Sequence, residues 1–255
     1  MALQQAKIFF VTSVKGGTGK TTTVLNLAGI FQEMEKKVLI MDFDLYTGSI
    51  AASLNIDPAT DLFTLVDDLN NNRFDNLNDY VTPFIENIDV IAAPKDPRTA
   101  GKINSKYLQI VLSKAKLKYD IILIDSCPIL NDINLVTMDV SDEILYLITN
   151  DPMDLKNMRT MVSIYRDMDR NNFKIILNDS VDKRRDYFSK YDIKNIVNDN
   201  IDYTIPSSFY IKNIDKYVMD GKILTREKNL MRTHKKGFDN LKKIANSLLK
   251  ERGLH

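Results

Sequence analysis

At 255 residues, 44% hydrophobic and 27% charged, with 9 glycines and 7 prolines, the chain is long enough for one large buried core, and its composition excludes collagen-like, low-complexity and wholly disordered proteins. A lone cysteine, Cys127, excludes an internal disulfide, and no run approaches the ~18 apolar residues of a membrane span or the apolar core of a secretory leader, so a single cytoplasmic domain over residues 1–255 is expected. The net charge of +1, from 35 basic and 34 acidic residues, argues as an average against a dedicated nucleic-acid binder.

In chain order, a mostly apolar run at 7–14 leads into glycines, and residues 20–35 then place Val24, Leu25, Leu27, Ala28 and Phe31 at helical spacing. Further strand-like runs fall at 37–43, 88–93, 120–125, 143–149 and 173–178, with a short one at 203–205. Most are apolar throughout rather than alternating, as strands hidden on both faces must be, which predicts a mostly parallel sheet covered by helices: a three-layer α/β/α domain. Residues 55–87, rich in asparagine, predict only short helices and loops, and from Ser207 onward the pattern predicts two closing helices.

The segment Gly16-Gly17-Thr18-Gly19-Lys20-Thr21-Thr22 lies where the first strand turns into the first helix. Glycines there let successive N–H groups point into one concavity, and the helix adds its positive N-terminal end, so the segment predicts a phosphate cradle. In such a P-loop Lys20 supplies charge to the β- and γ-phosphates and Thr21 a hydroxyl to Mg2+. At the end of the second strand Asp42 and Asp44 stand two residues apart, on the ligand side of an open α/β sheet, although each could also cap the following turn. Asp125 ends an apolar strand in the Walker B manner, as a partner for Mg2+, with simple capping as its alternative. Cys127 reads as a small buried thiol.

The first position of the usual P-loop glycine is Val14, and Lys15 follows it, giving K-G-G-T-G-K-T-T. This resembles the deviant Walker A motif of the ParA/MinD family, and the resemblance extends over nearly the whole chain. It implies a P-loop ATPase that binds ATP and Mg2+ and forms an ATP-dependent homodimer in which Lys15 reaches the nucleotide of the partner subunit. It also implies that Asp44 orients the attacking water, that Asp42 supports the metal and the loop, and that Asn178 and the Ile205-Pro206 turn hold adenine. Asp42-Phe43-Asp44-Leu45 with Gly48, Ile91-Ala92-Ala93-Pro94, Ser141-Asp142 and Thr149-Asn150-Asp151 are similar to the CpaE/TadZ branch, which implies a role in pilus assembly or the polar positioning of a machinery. Relatives commonly carry proline where Cys127 stands, and many carry a receiver-like domain before the ATPase, which this chain is expected to lack.

The average charge hides an asymmetry, because residues 211–255 hold 12 Lys/Arg against 5 Asp/Glu. Lys222, Arg226, Lys228, Arg232, Lys235 and Lys236 in this segment offer a surface for DNA phosphates, acidic lipid or a partner protein. A ParA-type partition ATPase on DNA and a MinD-type positioning ATPase on membrane are therefore the alternatives. The stripe at 238–250 is expected to serve the core before a membrane. A bacterial tyrosine kinase with the same loop would carry a tyrosine-rich tail, and no tyrosine follows Tyr217.

Overall fold

The structure, a computed structural model, describes residues 6–181 and 187–250. Its regular elements are β1 (Lys7–Ser13), α1 (Lys20–Glu33), β2 (Val38–Phe43), α2 (Ser49–Ser53), α3 (Leu62–Asn70), β3 (Thr82–Ile85), β4 (Ile88–Ile91), α4 (Leu108–Lys116), β5 (Ile121–Ser126), α5 (Asp132–Val140), β6 (Glu143–Ile148), α6 (Pro152–Asp167), β7 (Phe173–Asn178), α7 (Lys190–Val197), β8 (Tyr203–Ile205), α8 (Ile214–Met219), α9 (Lys228–Thr233) and α10 (Lys235–Lys250). The described strands form one sheet in the order β3-β4-β2-β5-β1-β6-β7-β8, parallel throughout except for the antiparallel pair β3 and β4.

Period-two alternation divides the core into two layers. Ile8 and Phe10 of β1, Leu39 and Met41 of β2, and Ile122 and Ile124 of β5 face one side, packing with Leu65 of α3, Val111 of α4, Met158 of α6 and Ile193 of α7. Phe9 and Val11, Val38 and Ile40, and Ile121 and Leu123 face the other, packing with Leu27 and Phe31 of α1 and with Leu241 and Ile244 of α10. Burial of each such side chain stabilises the fold by ~1.5–3 kcal/mol. The same alternation carries beyond the apolar stretch: Asp42 continues the parity of Val38 and Ile40, Asp125 that of Ile121 and Leu123, and the two are paired in register. Both carboxylates therefore emerge on the α1 side at the carboxyl end of the sheet, and β1 lies between β5 and β6, where the chain's direction of winding reverses.

The expected three-layer α/β/α fold with a mostly parallel sheet is present. Three local expectations differ. Residues 55–87 contain α3, a short helix as expected, capped by the Asp61 side chain accepting from Thr64 N–H, but also the edge strand β3, which was not expected. Neither carries a long periodic signal, because α3 buries only Leu62, Leu65 and Val66 and β3 pairs on one edge alone. The C-terminal segment forms three helices rather than two, since α9 is a six-residue element separated from α10 at His234. α1 ends earlier than expected, at Glu33, and Glu35 adopts φ 59°.

Candidate functional site

Between Ser13 and α1 the chain passes through Gly17 (φ 75°) and Gly19 (φ 89°), conformations that L side chains rarely adopt. Gly19 is also crowded, because a Cβ there would lie 2.6 Å from Asn178 Nδ2. That amide donates to Thr18 O at 2.9 Å, so the end of β7 is tied to the loop itself. Lys20 Nζ lies 3.2 Å from Ser13 Oγ, which donates to Lys15 O at 2.6 Å. Thr21 Oγ1 donates to Asp125 Oδ2 at 2.6 Å, joining the first turn of α1 to the end of β5.

A cavity of about 500 Å³ opens over this loop. Gly16, Gly17, Gly19, Lys20, Thr21 and Thr22 of the loop and the first turn of α1 line it, together with Asp44, Ser49 and Pro128. Asn178, Ser180 and Val181 and an apolar group of Phe209, Tyr210, Ile211 and Ile214 complete the lining. A polar, cationic loop together with an apolar group, in a volume within the usual range for small-molecule sites, suits a ligand with an anionic end and a flat or apolar end.

The acidic edge is deeply buried. Asp125 is 1% exposed, and burial pushes its carboxyl up to about 6 against the Thr21 hydrogen bond and the charge of Lys20. Burial, then the charge of Asp125, raises Asp42 to about 7, opposed by backbone N–H groups of Ile50 and Asp44. Asp125 Oδ1 is buried with no hydrogen-bond partner, an orphan of the kind that a cation or water satisfies. Among the described residues no three His, Cys, Asp or Glu side chains converge as a ready-made metal cage.

Most of the residues singled out from sequence meet here. Gly16, Gly17, Gly19, Lys20, Thr21, Thr22, Asp44 and Asn178 line the cavity, Thr18 supplies backbone from a buried position, and Asp125 stands behind Thr21. Three of the expected residues have their own local settings. Asp42 does not line the cavity: its Oδ1 accepts from Asp44 N–H at 3.0 Å and its Oδ2 from Ile50 N–H at 2.9 Å, so it anchors the loop that follows β2. Asn178 donates one amide hydrogen to Thr18 O while its oxygen accepts from Ser180 N–H and Oγ, so it braces the loop from within the cavity lining. Pro206 is not in the lining; it precedes a turn that carries Phe209 and Tyr210 into it.

Lys15 leaves the cavity altogether. Its Nζ pairs at 3.0 Å with Asp151 Oδ1, and Asp151 also caps α6 by accepting from Met153 and Asp154 N–H. Burial alone would raise Asp151, but the Asp154 backbone hydrogen bond and Lys15 hold its carboxyl below the ordinary range. Sequence reasoning missed Ser49, which stands 2.9 Å from Thr21 Oγ1, and the apolar lining residues; a serine and scattered aromatics carry no spacing signal. Cys127 is buried as expected, and Asn134 Nδ2 donates to the carbonyls of Cys127 and Ile129, bracing the segment after β5.

Residues 6–177 match the AAA_31 model, an AAA domain. The chain belongs to that family. The chain is 28% identical over 169 residues to the sporulation initiation inhibitor protein Soj of Bacillus subtilis, covering 63% of this chain and 65% of Soj. It spans between about half and two-thirds of the length of the first curated relatives it matches. Among solved structures, a ParA family ATPase from Chlorobium tepidum superposes with a TM-score of 0.79 at 19% identity, over 94% of this chain and 98% of the other. The septum site-determining protein MinD of Pyrococcus horikoshii, solved with Mg-ADP, superposes at 0.75 and 22% identity, over 97% and 98%. The ParA/MinD fold expected from the loop is thus the fold of this family member.

The basic segment is exposed at Lys222, Arg226, Lys228, Arg232, Lys235 and Lys236. The apolar stripe of α10, in contrast, is spent on the core through Phe238, Leu241, Ile244, Ala245 and Leu248. Residues 251–255, the end of this segment, lie outside the described residues. Among the described residues no helix is long and apolar enough to cross a membrane.

Proposed function

We propose that the chain is an ATP-hydrolysing dimerisation switch that binds Mg-ATP between two copies of itself and positions a cellular machinery, with pilus assembly of the CpaE/TadZ kind as its setting. The observation that carries this reading is the division of labour between two lysines: Lys20 lines the cavity, whereas Lys15 projects out of it and is held at the surface by Asp151. A cation placed outside its own site suits a deviant Walker A lysine that completes the site of a second subunit.

The residues fit the nucleotide and its cation. The glycine loop and Lys20 suit the phosphates, and the apolar group of Phe209, Tyr210 and Ile211 suits a base. Thr21 and the partnerless Asp125 oxygen suit Mg2+, which is commonly held by one carboxylate, hydroxyl, water and phosphate oxygens. When bound, Mg2+ would neutralise charge on the phosphate oxygens. Asp44, in the cavity lining two residues beyond Asp42, suits the orienting of an attacking water. ATP must favour one assembly state by ~5.5 kcal/mol to move the population from 1:99 to 99:1.

A ParA-type partition ATPase is the second reading, favoured by the exposed basic segment, which would bind DNA in a salt-sensitive way. The MinD-type membrane reading loses its anchor in α10, whose apolar face is buried. Light scattering with and without Mg-ATP tests the switch: a nucleotide-dependent doubling of mass supports it, and an unchanged monomer contradicts it.

A further inference from the structure

Ser49 sits where three elements of the acidic edge converge, and its hydroxyl has a definite place in the proton count. Thr21 Oγ1 donates its single proton to Asp125 Oδ2 at 2.6 Å. With that proton on Asp125, Ser49 has its single proton to share between Thr21 Oγ1 at 2.9 Å and Asp125 Oδ2 at 3.4 Å, because each hydroxyl has one proton and two lone pairs. It lines the cavity with its acceptor capacity intact, beside an Asp125 Oδ1 that is buried and without a partner.

The backbone fixes this position from both sides. Gly48 N–H donates to Asp44 O at 2.8 Å, and the Ile50 N–H next to Ser49 donates to Asp42 Oδ2. A Cβ on Gly48 would lie 3.3 Å from Ala93 Cβ, so the chain enters α2 through a tight passage. Ser49 is thus the last link of a loop that begins at Asp44, and it ends against Thr21 and Asp125.

We propose that Ser49 is a hydroxyl of the divalent-cation site, alongside Thr21 and Asp125, and that a hard cation of Mg2+ type bound there fixes the Asp44–Ser49 loop through it. The proposal rests on the nucleotide reading above and adds a residue to it. Ser49 is a positioning residue for Asp44: it links the cation to the loop that carries the water-orienting carboxylate. Hydroxyls suit hard oxygen-preferring cations, and partners at the edge of a metal site affect affinity by ~10–100-fold.

The test uses the full chain and Mn2+ as the paramagnetic probe, titrated in the presence of ATP and followed by loss of the free Mn2+ signal in electron paramagnetic resonance. Ser49→Ala should weaken Mn2+ retention about tenfold. Ser49→Thr, which keeps the hydroxyl, should retain the wild-type value. ATP affinity measured in EDTA should be the same for all three chains, which a merely structural role would not produce. Ser49→Ala holding Mn2+ as tightly as the wild type, or losing ATP affinity equally in EDTA, overturns the proposal. A wild-type chain that binds ATP but shows no cation dependence overturns the proposal alone, whereas one that binds no ATP overturns the nucleotide reading with it.

Discussion

Asp151→Asn separates the charge that holds Lys15 from the cap that holds α6. Lys15 and Asp151 meet at 3.0 Å with side chains 29% and 21% exposed, so the pair is partly solvated and worth ~0–1 kcal/mol. Asparagine keeps an oxygen for the N–H groups of Met153 and Asp154, and it ranks with aspartate as an N-cap, so helix stability should hardly change. If Lys15 must leave Asp151 to reach the partner's nucleotide, each subunit gains up to ~1 kcal/mol when the pair is removed. Two such pairs per dimer give up to ~2 kcal/mol, or a dimer Kd tighter by up to roughly thirtyfold. Sedimentation equilibrium with Mg-ATP over a concentration series measures this directly. The gain should shrink at high salt, where the surface pair is already weakened. An Asp151→Asn dimer no tighter than the wild type, at unchanged thermal stability, would refute the idea that Asp151 restrains Lys15.

Two further outcomes follow from the loop and the acidic edge. Gly19→Ala would put a Cβ at φ 89° and 2.6 Å from Asn178 Nδ2. It should cost ~1–2 kcal/mol of backbone strain plus about 1 kcal/mol for the Asn178–Thr18 bond, read as a lowered Tm with loss of ATP binding in calorimetry. Gly16→Ala, whose Cβ would meet open space in this structure, should leave the Tm of the ligand-free chain unchanged. For pH, the sign follows from the raised carboxyl of Asp125: the folded chain keeps a proton that the unfolded chain has lost. Stability from this source is complete below about pH 4 and is lost as pH rises through about 6. At 1.36 kcal/mol per unit, the ligand-free wild type should lose about 2 kcal/mol relative to Asp125→Asn between pH 4 and 7. Urea unfolding of both chains across that range checks it, and parallel pH curves would contradict the burial argument.

The parallel strands were legible because burial on both faces leaves unbroken apolar runs, such as 121–124, and because the glycine loop sits between such a run and an amphipathic helix. The same regularity placed Lys20, Thr21, Asp44 and Asp125 at one end of the sheet. What escaped was set by long-range geometry. Asp42 and Asp44 look alike in sequence, but the Ile50 and Asp44 amides engage the first and leave the second in the cavity lining. Asn178 reads as a strand-closing amide, and only the approach of Thr18 shows that one of its two amide hydrogens ties β7 to the loop. Ser49 has no motif, and its role depends on α2 starting opposite Thr21. β3 is a four-residue edge strand whose pattern alternates between half-buried and exposed, too little signal to separate it from the loop around it.

Whether Mg-ATP joins two copies of this chain is the claim on which the other assignments depend. The most direct measurement is the mass in solution of Asp44→Ala with Mg-ATP, Mg-ADP and no nucleotide, with Lys20→Ala alongside. If Asp44 orients the attacking water, its removal traps the ATP state, so Asp44→Ala should run at twice the monomer mass with Mg-ATP and as a monomer otherwise, and Lys20→Ala should stay monomeric throughout. An Asp44→Ala chain that binds ATP yet remains a monomer would contradict the switch.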